Sequence, residues 1–212
     1  MKQSIMAVAA LGVCLMLTAT GCPQSGGIGD ACTPDKEYDP KFRGFSQDGV
    51  YAESRSFSCQ SRICLVNHYR GRTSCPNGQD ENGDGQPGKK GTDNEDGTGC
   101  KVPGTTKLIV GDKSEENAQG KSCVPPQCED RKAVDSVFCS CRCANVEGKT
   151  DDGANYCECP ENFACEQLVA STGLGGNEGL SGGYCTKVGK GYKPQSSCSA
   201  ASGSSTSCSL TN

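Results

Sequence analysis

Apolar positions are sparse along this chain and come in short clusters. The first, Ile5 to Leu17, follows Lys2 and leads into the small residues Ala19, Thr20 and Gly21. A positive start, a short apolar run and a small-residue exit predict an export signal over 1–21 that is removed. The run is too short for a stable membrane anchor. Further on, Phe57 to Tyr69, with Ile63, Leu65 and Val66, predicts a strand pair. TTKLIV at Thr105 to Val110 is the best isolated strand pattern, Ala164 to Ser171 reads as a short helix, and GGYCTKVGKGY at Gly182 to Tyr192 as a closing strand. Residues 76–99 contain no aliphatic side chain, so they read as a linker.

These clusters are too few to build ordinary cores. After the signal 191 residues remain, of which Leu, Ile, Val and Phe make up 24. That share, about 13%, is in the range of chains that stay disordered unless something else holds them. Cysteine is the replacement, with 17 in the same 191 residues. The expected fold class is therefore small, disulfide-rich, and mostly β and irregular. Two stapled modules are expected, at 32–75 and 100–193, joined by the acidic Gly-rich linker 76–99. A flexible tether at 22–31 precedes them, its Gly/Ser-rich part at Gln24 to Gly29, and a Ser-rich tail at 194–212 follows.

Cysteine spacing refines the picture. Cys14 lies in the signal, and setting Cys22 aside leaves an even sixteen. They are Cys32, Cys59, Cys64, Cys75, Cys100, Cys123, Cys128, Cys139, Cys141, Cys143, Cys157, Cys159, Cys165, Cys185, Cys198 and Cys208, enough for eight bridges. The four in 32–75 are an even set that can close on itself. Cys139, Cys141 and Cys143 alternate, so on an extended segment they share a face and must each reach a different neighbour. Cys157, Cys159, Cys165 and Cys185 are the obvious supply. Cys198 and Cys208 read as one small loop in the tail.

Charge and composition exclude several functions. A net charge of −4 offers no sequence-wide basic field for nucleic acid. The only histidine is His68, so the two-histidine zinc protease motif is excluded, and C-x-x-C redox motifs are absent. A triad would have to be built around His68, for which a surface or half-buried place beside a strand is expected. Arg62, Arg70 and Arg72 make a mild basic patch that suits anionic lipid headgroups, acidic polysaccharide or ordinary solvation.

Two metal readings remain. Asp80, Asn82 and Asp84, followed by Gly85, alternate hard oxygen ligands before a glycine turn, as in calcium-wrapping loops; Asp93, Glu95 and Asp96 add oxygens from a second turn. Position twelve, where a bidentate Glu would sit, is Gly91, so the site is of the weak extracellular kind, and a solvated acidic linker is the plainer reading. Alternating thiolates in CSCRC suit soft metals, but an exported chain meets oxidising conditions that turn thiols into disulfides. No other cofactor is expected.

Ala19-Thr20-Gly21-Cys22 resembles the lipobox of bacterial lipoproteins. That resemblance implies a diacylglycerol thioether on Cys22, cleavage before it and acylation of its amine, with ordinary secretion after cleavage near Ala19 as the alternative. Pro23, where an Asp would hold such a lipoprotein at the inner membrane, implies the outer membrane. CECPENFAC, Cys157 to Cys165, is similar to the last part of an epidermal-growth-factor-like module, which implies binding or adhesion. GDACTPD, ESRSFSCQSRICLVN, CSCRC and CECP together resemble uncharacterised cysteine-rich lipoproteins of deltaproteobacteria. The expectation is a lipid-anchored, non-catalytic envelope protein serving structure, adhesion or recognition, with the membrane and a surface protein or polysaccharide as partners. Calcium or soft-metal binding, or a secreted enzyme with an unrecognised site, is the alternative.

Overall fold

The run ICLVN forms a strand, β2 (Ile63–Asn67), buried along nearly its whole length. The computed structural model describes residues 26–79, 100–109, 124–170, 178–194 and 198. β2 pairs antiparallel with β1 (Val50–Glu53) and with β3 (Val137–Ser140). Side chains alternate across this sheet. Cys64 and Val66 join Val137 and Cys139 in one core, while Leu65 and Phe138 pack with Tyr184 in another. With both faces covered, the strand reads as an unbroken apolar run rather than an alternation.

Only Cys141 separates β3 from β4 (Arg142–Ala144), yet β4 belongs to a second antiparallel sheet of order β4-β6-β5. Its other strands are β5 (Phe163–Val169) and β6 (Gly182–Lys187). Gly182 has φ +129°, and a Cβ there would lie 2.2 Å from the Ala144 carbonyl oxygen, so only glycine lets β6 close on β4. Among the described residues, helix is limited to one turn, α1 (Ala133–Ser136), and two 3-10 turns at Asp35–Tyr38 and Glu178–Leu180. Among the described residues, no helix is long and apolar enough to cross a membrane.

Seven disulfides join the described cysteines. They are Cys32–Cys64, Cys59–Cys139, Cys75–Cys100, Cys128–Cys198, Cys141–Cys157, Cys143–Cys165 and Cys159–Cys185. The small disulfide-rich β fold read from composition is therefore what forms. Cys139, Cys141 and Cys143 each reach a different segment, two of them in the expected supply and Cys139 in the first module.

Several local expectations are corrected. The cysteines of 32–75 do not close on themselves: Cys32–Cys64 is internal, while Cys59 and Cys75 bridge to Cys139 and Cys100. Cys198 pairs with Cys128 rather than with Cys208; Cys123 and Cys208 lie outside the described residues. Ala164 to Val169 is strand, because pairing with β6 along its length and the Cys143–Cys165 bond override the helix preference of Ala, Glu, Gln and Leu. Of TTKLIV, the described part, residues 105–109, makes no strand. Lys101 and Leu108 form one isolated bridge in a tight turn, and Ile109 is buried beside Cys75 and Cys100. The spacer Gln24 to Gly29 is hydrogen-bonded from Gly26 onward, to Ser58, Gln60 and Cys139.

Irregular segments are held by buried polar side chains that bond main-chain groups. Glu37 is fully buried; its Oε1 accepts from the Thr73 N–H at 2.6 Å and its Oε2 from the Ser74 N–H at 2.9 Å. The Arg72 guanidinium, also buried, donates to the carbonyls of Glu37 and Phe42. Together they lock the first 3-10 turn onto residues 72–74. Replacing Glu37 by Ala strands two buried N–H donors, so chemical denaturation of Glu37→Ala is expected to show a loss of about 3 kcal/mol. A change within about 0.5 kcal/mol, the range of plain surface substitutions, would contradict this role.

Candidate functional site

The alternating string Cys139-Ser140-Cys141-Arg142-Cys143 carries the chain from one sheet to the other and gathers the sulfurs. The Cys141 carbonyl accepts from the Cys185 N–H of β6 at 3.1 Å, and Ser140 Oγ donates to the Cys185 carbonyl at 2.8 Å. Three disulfides, Cys141–Cys157, Cys143–Cys165 and Cys159–Cys185, therefore stack together. Cys185 Sγ lies 3.7 Å from the Sγ atoms of both Cys141 and Cys157. These sulfurs fall into groups close enough to share an ion, as do those of Cys32, Cys59 and Cys139. Paired as disulfides, however, they are not the thiolates that soft-metal coordination requires.

His68 sits at the end of β2 with φ +51°. Its Nδ1 lies 2.9 Å from the Gln47 carbonyl, which can only accept, so Nδ1 carries the proton. The ring stacks on Tyr192 at 4.0 Å between centroids and 4° between planes. Tyr192 donates its hydroxyl to Asp48 Oδ1 at 3.3 Å. Beneath them Arg131, almost fully buried, donates to the carbonyls of Asn67, His68 and Lys190 at 2.6, 2.7 and 2.7 Å. This is a clasp that fastens 190–192 to β2. Burial lowers the imidazole pKa; the hydrogen bond that Nδ1 donates to the Gln47 carbonyl opposes that, Arg131 adds to it, and Asp48 and Glu166 oppose it.

Two further constellations lie outside the candidates read from the sequence. Gly179-Leu180-Ser181-Gly182-Gly183 has the G-x-S-x-G spacing of a serine-nucleophile turn, a signal the sequence reading missed. Such a serine is presented at an exposed strand-to-helix turn. Ser181 instead joins a 3-10 turn to β6, is buried, and donates its hydroxyl to the Ala170 carbonyl at 3.3 Å. The second is a carboxylate pair. Glu53 accepts from the Asp35 N–H at 3.0 Å, and Asp35 Oδ1 accepts from the Tyr51 hydroxyl at 2.7 Å. Burial raises the Glu53 pKa, the Asp35 N–H counters this, and the Asp35 charge adds to it. Both acids are bonded to the first 3-10 turn and its strand partner, as latches of the fold.

The basic patch expected from Arg62, Arg70 and Arg72 is not one surface. Arg72 is fully buried on carbonyls, Arg70 is half-buried, and Arg62 is exposed above the Phe57 ring at 4.3 Å. Cys22 and the calcium candidates Asp80, Asn82, Asp84, Asp93, Glu95 and Asp96 lie outside the described residues. The flanks of the acidic segment are nonetheless fixed. Cys75 and Cys100 are bonded, with Cα atoms 5.6 Å apart, and Gln79 Oε1 accepts from the Cys100 N–H at 2.6 Å. The segment thus leaves and re-enters at one point.

No protein-family model, no curated protein and no solved structure matches this chain.

His68 gives a single-site readout. Its folded pKa is depressed, so as pH falls below the ordinary value of about 6.5 the unfolded chain takes up a proton that the folded chain resists. Stability contributed by His68 is therefore present above that value and lost as pH falls towards the lower folded pKa. Titrating the one imidazole by proton NMR is expected to give a midpoint below that of an unfolded peptide. His68→Asn, a residue that tolerates positive φ, removes this contribution. An imidazole midpoint at or above 6.5 would contradict the buried clasp.

Proposed function

We propose that this is a bacterial cell-envelope protein, anchored to the outer membrane by lipid on Cys22, whose exported part is a non-catalytic structural, adhesion or recognition module. The observation that carries this reading is the pairing: every cysteine among the described residues is in a disulfide. Disulfides persist in oxidising, extracytoplasmic compartments, which supports export. The pairing also leaves Cys14, Cys22, Cys123 and Cys208 over from the eighteen. With Cys14 in the signal and Cys22 carrying lipid, Cys123 and Cys208 are left for each other. Without the lipid, one cysteine would be left over.

The fixed side-chain arrangement supports a non-catalytic role. His68 is engaged with a main-chain carbonyl and an aromatic face, and Ser181 is buried on a carbonyl. A rigid, disulfide-held surface with exposed loops suits recognition, since a preformed surface loses little entropy on binding. A separate proposal concerns calcium. The closure of the acidic segment at Cys75–Cys100 supports a loop in which Asp80 to Asp96 gather around a weakly held ion.

Intact-mass spectrometry of the protein from a membrane fraction, with alkylation before reduction, tests the main reading. The expected mass starts at Cys22, includes acyl chains, and shows no alkylated thiol; a peptide map shows Cys123 joined to Cys208. An unlipidated chain with several reactive thiols would overturn it and make metal binding the leading reading. For calcium, cleavage by trypsin at Lys89 and Lys90 should slow when millimolar calcium is added and recover with chelator. Equal rates in both would sink that proposal.

A further inference from the structure

Gly26, the first described residue, is docked on the loop that joins β1 to β2. Its N–H donates to the Ser58 carbonyl at 2.7 Å, and its carbonyl accepts from the Gln60 N–H at 2.9 Å. Cys22 is four residues earlier. At 3.3 to 3.6 Å per extended residue that spans at most about 14 Å. Whatever surface holds Cys22 therefore lies close to this loop.

The loop has the composition of a membrane-contacting tip. Residues 54–62 read SRSFSCQSR, with two arginines and no acid. Phe57 is 80% exposed, the highest among the large hydrophobics of the described residues, and Arg62 covers one face of its ring at 4.3 Å. Arg55 is exposed on the other side of it in sequence. The loop is held firmly: the Ser56 N–H donates to the Arg62 carbonyl at 3.0 Å, and Cys59 is bonded to Cys139 of β3. Two acids flank it, each bonded to main chain: Asp30 Oδ2 accepts from the Gly27 N–H at 2.8 Å, and Glu53, just before the loop, accepts from the Asp35 N–H at 3.0 Å. Leaving an aromatic ring in water on a fixed loop forgoes its burial, whereas an aromatic between arginines suits the boundary between acyl chains and anionic headgroups.

We propose that residues 54–62 are a membrane-docking surface. Phe57 seats at the acyl-chain boundary, and Arg55 and Arg62 take the headgroup phosphates of the leaflet that holds the acyl chains of Cys22. This deepens the lipid-anchor reading and rests on it. Its consequence is an exported part that lies against the bilayer with a fixed face, rather than swinging on its tether.

The chain contains no tryptophan, so Phe57→Trp introduces a single tryptophan that can be excited apart from the tyrosines. Val134→Trp is the control: Val134 is 62% exposed and precedes β3 at the end where Val137 opposes Val66, away from the Ile63 end that leads into the loop. Full-length lipidated protein of each kind is reconstituted into phosphatidylethanolamine vesicles containing phosphatidylglycerol, with and without brominated acyl chains. Expected is blue-shifted, bromine-quenched emission from Phe57→Trp and neither effect from Val134→Trp. Each arginine is worth roughly fivefold in partition at an anionic surface. Arg55→Glu with Arg62→Glu in the Phe57→Trp background should therefore lose most of the quenching. Intact mass is measured on the same samples. Lipidated Cys22 with unquenched Phe57→Trp emission overturns the docking surface and leaves the anchor standing. An unlipidated Cys22 overturns the anchor, and this inference with it.

Discussion

Everything in this fold depends on one short constraint, the passage of Cys139-Ser140-Cys141-Arg142-Cys143 from one sheet to the other. Period-two geometry would put the three sulfurs on one side of an extended strand. The chain uses them in three directions: Cys139 back to Cys59 by the β1–β2 loop, Cys141 to Cys157, and Cys143 to Cys165 of β5. Cys59–Cys139 spans 80 residues of sequence and carries the longest such closure among the described bonds. In the chain-entropy account, longer closures remove more freedom from the unfolded state, and each bridge typically stabilises by about 2 to 4 kcal/mol, not additively. With so few aliphatic residues, these closures take over what a larger core would do.

Covalent closure leaves much main chain outside regular ladders, and those groups still need partners. Buried polar side chains supply them. Glu37 accepts two N–H groups, while Arg72 donates to the Glu37 carbonyl and Arg131 to those of Asn67 and His68 at the end of β2. Gln79 does the same for Cys100 at the neck of the acidic segment. The charged residues of this chain are thus partly structural, which is why a basic patch counted from sequence fell apart once Arg72 was found inside.

What the sequence made legible was whatever depends on local pattern. The cysteine density predicted a disulfide-rich β fold and GGYCTK the closing strand β6, whereas the strand pair expected over Phe57 to Tyr69 is a single strand, β2, whose partner β1 lies upstream at Val50–Glu53 because 54–62 form the loop between them. The separate partners of Cys139, Cys141 and Cys143 followed from strand geometry alone. What it hid depends on distant pairing. FACEQLV carries helix formers, and only its position beside β6 and the Cys143–Cys165 bond make it a strand. Cys198 lies close in sequence to Cys208 but close in space to Cys128 and Asp130. Arg131 has no sequence signature as the centre of a clasp. The exposed Phe57 stands out in SRSFSCQSR only once Gly26 is seen docked beside it.

The same rigidity links construction to the proposed role. A surface held by disulfides keeps its loops in place without a large core, and a loop fixed beside the tether can present one constant face. The central claim is that the disulfides, rather than apolar burial, hold this fold. The most direct measurement is the amide proton–nitrogen spectrum of the protein before and after complete reduction with the thiols blocked. The account predicts dispersed peaks in the oxidised protein and collapse to the narrow range of an unfolded chain on reduction. Dispersion that survives full reduction would contradict it.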